Sequence, residues 1–252
     1  MRFIVIYFYI FIVGLILGSF YNVVGIRVSR GQSIAFPSSH CPNCRRKIPI
    51  HEMIPFISYL FLLGKCRGCG IRISLIYPIV EISCALLFVF TFIIEPSLSS
   101  IIMGWLLISL LLIIFVSDIT DMIIPDKVLI VFFILFIFYR IIFPISPWWQ
   151  SAAGSIAGFF ILFSINYINR GSIGGGDIKL FTVLGYLLGL ETVLLALFLS
   201  AFFGAVIGGG GQLTGWLKKG QPIPFGPFIS LGTLMAFFFG EQMMRWYVSL
   251  VS

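Results

Sequence analysis

Two Cys-x-x-Cys pairs carry the plainest chemistry in this sequence. Cys41-Pro-Asn-Cys44 and Cys66-Arg-Gly-Cys69 are separated by 21 residues. Each pair can place two thiolates on one ion, and two pairs complete a tetrahedral site. Arg45, Arg46, Lys47, Lys65 and Arg67 flank the cysteines and would offset the charge of a four-thiolate centre. With every ligand supplied by protein, no position is open to a substrate, so the expected ion is a structural Zn2+ in a ribbon-like loop. Two unligated or redox pairs are the rival reading, and a cytoplasmic location disfavours disulfides. His40 and His51 are weaker ligand candidates, His40 because it directly precedes Cys41. Cys84 lies in an apolar segment and reads as a small buried hydrophobe.

The second group is carboxylate. The chain has only nine Asp and Glu residues. An ionisable group at membrane depth is costly and is a functional candidate by default. Asp118 ends an apolar run, and Asp177 follows Gly174-Gly175-Gly176. Two carboxylates in contact cannot both ionise easily, and such a pair can serve as acid and base in water attack on an amide. The three glycines would let the backbone approach a neighbour or an extended substrate closely. The plainer alternative is a helix start with Asp177 as N-cap. Asp121 and Asp126 read as more exposed, with Asp126 in the first turn of a helix after Pro125. Glu81, shortly after Tyr77-Pro78, faces the cysteine loop or a polar pocket, with pairing to an interhelical Arg as the plainer alternative. Glu95, Glu191 and Glu241 fall near the opposite membrane face.

The elements that must position these groups are membrane helices. Of 252 residues, 60% are hydrophobic and 10% charged, against about 25% charged in soluble domains. The mean hydropathy is +1.11. This excludes a soluble or a disordered chain. A helix needs about 20 apolar residues to span a bilayer. Candidate segments cover about 3–25, 76–94, 98–117, 127–143, 149–168 and 226–250, with two short helices within 178–211 hinged near Gly189-Leu-Glu191. The expected fold is all-α and polytopic, with about eight spans. Alternation then puts 13 Lys and Arg on the side of the cysteine loop, including Arg170, Lys218 and Lys219, and leaves Arg2, Arg140 and Arg245 on the other. By the positive-inside bias the loop is cytoplasmic and both termini lie outside. The net charge of +7 therefore reflects topology, and no nucleic-acid partner is expected. The first segment exceeds a signal-peptide core and lacks an A-x-A site, so it reads as a helix that is kept.

These residues, taken in order, resemble the type IV prepilin peptidases, bifunctional leader peptidase/N-methyltransferases of the bacterial inner membrane. The resemblance runs through Gly18-Ser-Phe-Tyr-Asn-Val-Val, Ser39-His-Cys-Pro-Asn-Cys-Arg, Ile48-Pro-Ile-His-Glu-Met-Ile-Pro, Ser58-Tyr-Leu, Gly64-Lys-Cys-Arg-Gly-Cys and Tyr77-Pro-Ile-Val-Glu81. It continues through Asp118, Ile124-Pro-Asp126 and Gly174-Gly-Gly-Asp-Ile-Lys179. Met53 departs from the family's usual Asn. The resemblance implies that Asp118 and Asp177 are the catalytic pair of an intramembrane aspartyl endopeptidase. It implies removal of prepilin or pseudopilin leaders at the cytoplasmic face, and S-adenosylmethionine-dependent methylation of the new N-terminus. It divides the chain into a first helix (1–26), a zinc-binding, methyltransferase-associated loop (27–75) and a protease domain (76–252). Asp121, Asp126, Gly174, Gly175, Gly176 and Lys179 are the expected substrate-binding residues. A proton-coupled transporter and a non-catalytic scaffold are the rivals. The former is disfavoured because Asp118 and Asp177 fall at one membrane face and no repeat is evident.

Overall fold

The structure, a computed structural model, describes residues 2–169, 173–214 and 223–251. Arg170, Lys218 and Lys219, which contribute to the charge asymmetry, lie outside the described residues. The fold is helical, and among the described residues the only β pairing is two isolated bridges, His40 with Lys47 and Lys65 with Arg72. The chain forms two compact units, Met1–Asp121 and Met122–Ser252.

The first unit contains α1 (Arg2–Ser29), the cysteine loop with the short α2 (Ile57–Phe61), α3 (Ile76–Ile94) and α4 (Leu98–Asp121). At 1.5 Å per residue, α1 is about 42 Å long, more than the roughly 30 Å hydrocarbon core. In lipid, helices gain little by hiding apolar side chains from one another, so small residues that let backbones touch decide the packing. Gly14 and Gly18 do this on α1. A Cβ on Gly14 would sit 2.5 Å from the Ala85 Cα, and one on Gly18 would sit 2.8 Å from the Glu81 Cα, both on α3. Polar contacts fix the register: Tyr21 and Ser109 hydroxyls lie 2.6 Å apart, and the Trp105 indole donates to the Phe88 carbonyl at 3.1 Å. Helix α4 is buried on every side from Leu107 to Ile114, the pattern of a helix with no solvent face.

The second unit contains α5 (Asp126–Ile142), α6 (Gln150–Ile168), α7 (Gly175–Leu188), α8 (Leu190–Phe203) and α10 (Gly226–Val251). A π turn (Gly204–Gly208) joins α8 to the short α9 (Gly209–Leu213). The expected break within 178–211 is present. Gly189 has φ +82° and its N–H returns to the Gly185 carbonyl at 3.0 Å, a left-handed helix end that favours glycine. Helices α6 and α7 meet backbone to backbone, because a Cβ on Gly154 would lie 2.4 Å from the Gly185 oxygen.

Helices occupy all eight expected positions. Among the described residues, five helices are long and apolar enough to cross a membrane by length and composition: Ile4–Ser29, Ile76–Ile94, Leu98–Asp121, Gln150–Ile168 and Leu190–Gly211. Helices α5 and α7, of 17 and 14 residues, are shorter than a perpendicular span requires. Large apolar side chains such as Phe8, Ile16, Phe160 and Phe198 are exposed, as expected where lipid is the solvent.

Candidate functional site

The cysteine loop folds as two matching knuckles. In the first, the Arg45 N–H donates to the Cys41 carbonyl at 2.9 Å and the Cys41 N–H to Arg46 at 3.0 Å. In the second, the Gly70 N–H donates to Cys66 and the Cys66 N–H to Ile71, each at 2.8 Å. The residue after each second cysteine is left-handed: Arg45 at φ 57° and Gly70 at φ 69°. The four sulfurs all lie within 4.8 Å of one another. Cys41 Sγ is 3.8 Å from Cys69 Sγ, and Cys44 Sγ is 4.0 Å from Cys66 Sγ. A tetrahedral ion with metal–sulfur bonds of about 2.3 Å has sulfur–sulfur edges of about 3.8 Å, so the cluster fits such an ion. A disulfide would need about 2.05 Å, and all four cysteines are free. The four residues could therefore hold a metal. Among the described residues the cluster contains neither His40 nor His51.

Backbone amides already favour thiolate here. The N–H groups of Cys44 and Asn43 lower the Cys41 pKa, and the Ile71 N–H is the main cause that takes Cys69 down to about 6. At Cys44 the Arg46 N–H acts downward, but burial and neighbouring thiols outweigh it and push the group up to about 11. Glu52 joins the knuckles. Its carboxylate accepts a 2.7 Å hydrogen bond from Arg46 of the first and lies 3.6 Å from Arg67 of the second. The Arg46 hydrogen bond holds the Glu52 carboxyl below the usual range. Sequence reasoning missed this residue, although its neighbour His51 was considered; a lone acid among basic knuckle residues was the available signal.

Glu81 turns toward the loop, and among the described residues no Arg forms an ion pair with it. Its Oε2 accepts the Phe56 N–H at 2.7 Å, and Phe56 is left-handed at φ 58° at the start of α2. A residue of α3 thus ties the loop to the helices.

The aspartates occupy helix ends. Asp118 is buried at 6% exposure, and α4 runs one turn further than the expected segment, to Asp121. Asp177 is in the first turn of α7, where a carboxylate complements the helix dipole. The N-cap is Gly174 rather than Asp177. Asp118 belongs to the first unit and Asp177 to the second. Of the three glycines, Gly176 makes the close approach: a Cβ there would lie 2.8 Å from the Ile124 Cβ, whereas one on Gly175 would meet nothing within 4 Å. A Cβ on Gly174 would lie 3.1 Å from Asp177 Oδ2. Asp121 and Asp126 both already hold cations. Asp121 accepts from the Ser29 hydroxyl at 2.6 Å and pairs with Arg30 at 3.1 Å. Asp126, in the first turn of α5 as expected, takes Lys179 Nζ at 2.8 Å on both oxygens.

Comparison with known proteins decides the family. Residues 12–94 match the Bacterial Peptidase A24 N-terminal domain, and residues 105–209 match the Type IV leader peptidase family. A Bacillus subtilis protein named prepilin leader peptidase/N-methyltransferase is 42% identical over 241 residues, covering 96% of this chain and 97% of its own length. The chain belongs to the type IV leader peptidase family. Proteins of the same name from Vibrio cholerae, 34% identical over 90% of this chain and 94% of their own length, and from Aeromonas salmonicida, 32% identical over 87% and 77%, agree. No solved structure matches. Family membership and several apolar helices make this an all-α membrane protein. The resemblance read from the ordered motifs is thereby borne out, and neither the transporter nor the scaffold reading is favoured.

Proposed function

We propose that this protein removes the leader of type IV prepilins or pseudopilins and N-methylates the residue exposed by the cut. The match over nearly the whole length of relatives named for both activities carries this reading. Asp118 and Asp177 act together on the scissile amide. One carboxylate, ionised, takes a proton from water as the water attacks. The other, protonated, polarises the carbonyl, and the roles exchange as the tetrahedral intermediate collapses. The burial of Asp118 and the first-turn position of Asp177 support the assignment. Gly174, Gly175 and Gly176 admit an unwound substrate backbone beside Asp177. Asp121, Asp126 and Lys179 order the substrate; a basic leader exchanges with Arg30 for the Asp121 carboxylate or with Lys179 for that of Asp126.

Zn2+ is the ion that Cys41, Cys44, Cys66 and Cys69 hold, and four thiolates suit it as a structural metal. S-adenosylmethionine, when bound, supplies the methyl group. The loop of residues 27–75 serves methylation, and the membrane helices of 76–252 serve cleavage. The protein sits in the bacterial inner membrane with eight spans, the loop cytoplasmic and both termini outside. Its partners are prepilin substrates and lipid, without nucleic acid. Mass spectrometry of the N-terminus of a co-expressed prepilin tests both activities together. A trimmed, singly methylated terminus is expected, and an intact leader would refute the proposal.

A further inference from the structure

The segment between the two knuckles is built inside out for water. From residue 50 to residue 63, seven large apolar side chains are exposed, among them Ile50 at 83%, Phe61 at 85% and Leu63 at 84%. The turn Ile50–Met53 buries none of its residues, and the one buried residue of α2 is Ser58. The Ser58 hydroxyl donates to the Ile54 carbonyl at 2.6 Å, so the polar group is turned inward and satisfied. Ile57 and Phe61, one turn apart on α2, are both exposed. A surface that faces water has the opposite arrangement, and a cluster of exposed large apolar groups marks an interaction site.

The depth of this segment follows from Glu81, which accepts the Phe56 N–H at 2.7 Å. The Glu81 Cα is level with Gly18 of α1, where a Cβ would lie 2.8 Å from it. Beyond Gly18 toward the loop, α1 runs through eight uncharged residues, 19–26, before its next charge, Arg27. That is about 12 Å of uncharged helix. Helix α4 runs parallel beside it, with Val116 against Gly25, and is uncharged up to Ser117. A glutamate side chain reaches only about 5 Å, so Phe56 lies beside uncharged helix, short of the level of Arg27. Leu75 and Ile79, at the head of α3, are exposed at the same end. Lys47 and Lys65 bracket the segment. Both are exposed, and among the described residues neither forms an ion pair.

We propose that residues 50–63, with α2 at their centre, dock into the lipid leaflet on the loop side of the membrane. The occupant of the exposed apolar face is the lipid surface. Acyl chains cover Ile50, Ile57, Phe61 and Leu63, as they cover the apolar face of an interfacial helix. Lys47 and Lys65 extend to the level of the headgroups, where lipid phosphates pair with them. The metal loop is thereby held against the bilayer at two points, through Glu81 to α3 and through its own apolar segment to lipid. The docking requires neither of the activities proposed above.

The test uses full-length protein in nanodiscs whose phosphatidylcholine carries a photoreactive diazirine in the acyl chain. Trypsin releases residues 48–65 as one peptide, because no Lys or Arg falls between Lys47 and Lys65, and residues 68–72 of the second knuckle as another. After illumination, mass spectrometry should find lipid adducts on 48–65 and none above background on 68–72. Phe61→Asn combined with Leu63→Asn changes two exposed side chains, and should cut the adducts on 48–65 by about twofold or more with metal content unchanged. Wild-type labelling of 48–65 by a water-soluble carbene reagent in place of the lipid overturns the proposal. Cross-links from 48–65 to a second copy of the chain in place of lipid make the face a protein interface and also overturn it. Adducts undiminished in the double variant place the lipid elsewhere on the peptide and overturn the assignment to this face. Should the double variant lose its metal, the wild-type labelling decides alone.

Discussion

Adjacent glycines at the start of α7 should respond oppositely to one methyl group. A Cβ at Gly176 would lie 2.8 Å from the Ile124 Cβ, about 0.7 Å short of a relaxed carbon–carbon contact of about 3.5 Å. Both atoms are close to backbone and cannot swing away, so the first turn of α7 must shift. Overpacking of this kind costs about 1–3 kcal/mol, partly offset by the roughly 1 kcal/mol that Ala gains over Gly within a helix. At Gly175 a Cβ meets nothing within 4 Å, so only the helical gain remains. Asp177 is the next residue after Gly176, and misplacing a reacting group by about 1 Å costs on the order of 100-fold in rate. Gly176→Ala should therefore cut the kcat for cleavage of a prepilin peptide by about 10- to 100-fold. Gly175→Ala should keep kcat within about threefold of wild type, because its Cβ meets nothing in the protein and any crowding of the substrate backbone appears in KM, and its thermal midpoint should not fall. Equal kcat for the two variants would refute the reasoning.

Three further outcomes follow from the loop and from the paired aspartates. Cys41→Ser should lose bound metal and open residues 27–75 to limited proteolysis, because structural zinc contributes on the order of 10 kcal/mol of folding free energy in small zinc peptides; metal analysis showing no zinc in well-folded wild type would sink this. Arg45 and Gly70 occupy equivalent left-handed positions, so Arg45→Gly should leave metal retention against a chelator unchanged or improved, whereas Gly70→Ala should weaken it by about five- to tenfold, the equivalent of about 1 kcal/mol of left-handed strain. Asp121→Asn combined with Asp126→Asn should raise KM for a basic-leader substrate more than it lowers kcat, and an unchanged KM would remove both residues from substrate binding.

The helices and the metal loop were legible because their signals are local. Segment length and apolar composition gave the helix positions, and paired Cys-x-x-Cys spacing gave a cluster whose sulfurs converge. The break at Gly189 was legible because the 34 residues of 178–211 exceed one span. The Gly14–Gly18 contact with α3 was not, since a glycine spacing does not say which helix it faces. The hydrogen bond from Asn22 to the Tyr77 carbonyl was hidden for a similar reason: it exists only once α1 and α3 are in register. Asp121 and Asp126 looked available for a basic leader, but pairing with Arg30 and Lys179 depends on residues 91 and 53 positions away in the chain.

The most direct test of the account is leader cleavage by Asp118→Asn, Asp177→Asn and the double variant, each with its metal content measured. Asn keeps the shape of Asp and removes the titrating group. Each single variant should lose at least about 100-fold in cleavage rate, with metal content unchanged and methylation of a pre-cleaved pilin retained. The double variant should be no worse than either single, because members of one catalytic unit are non-additive. Substantial cleavage by Asp177→Asn, or losses that multiply in the double variant, would contradict a shared catalytic pair.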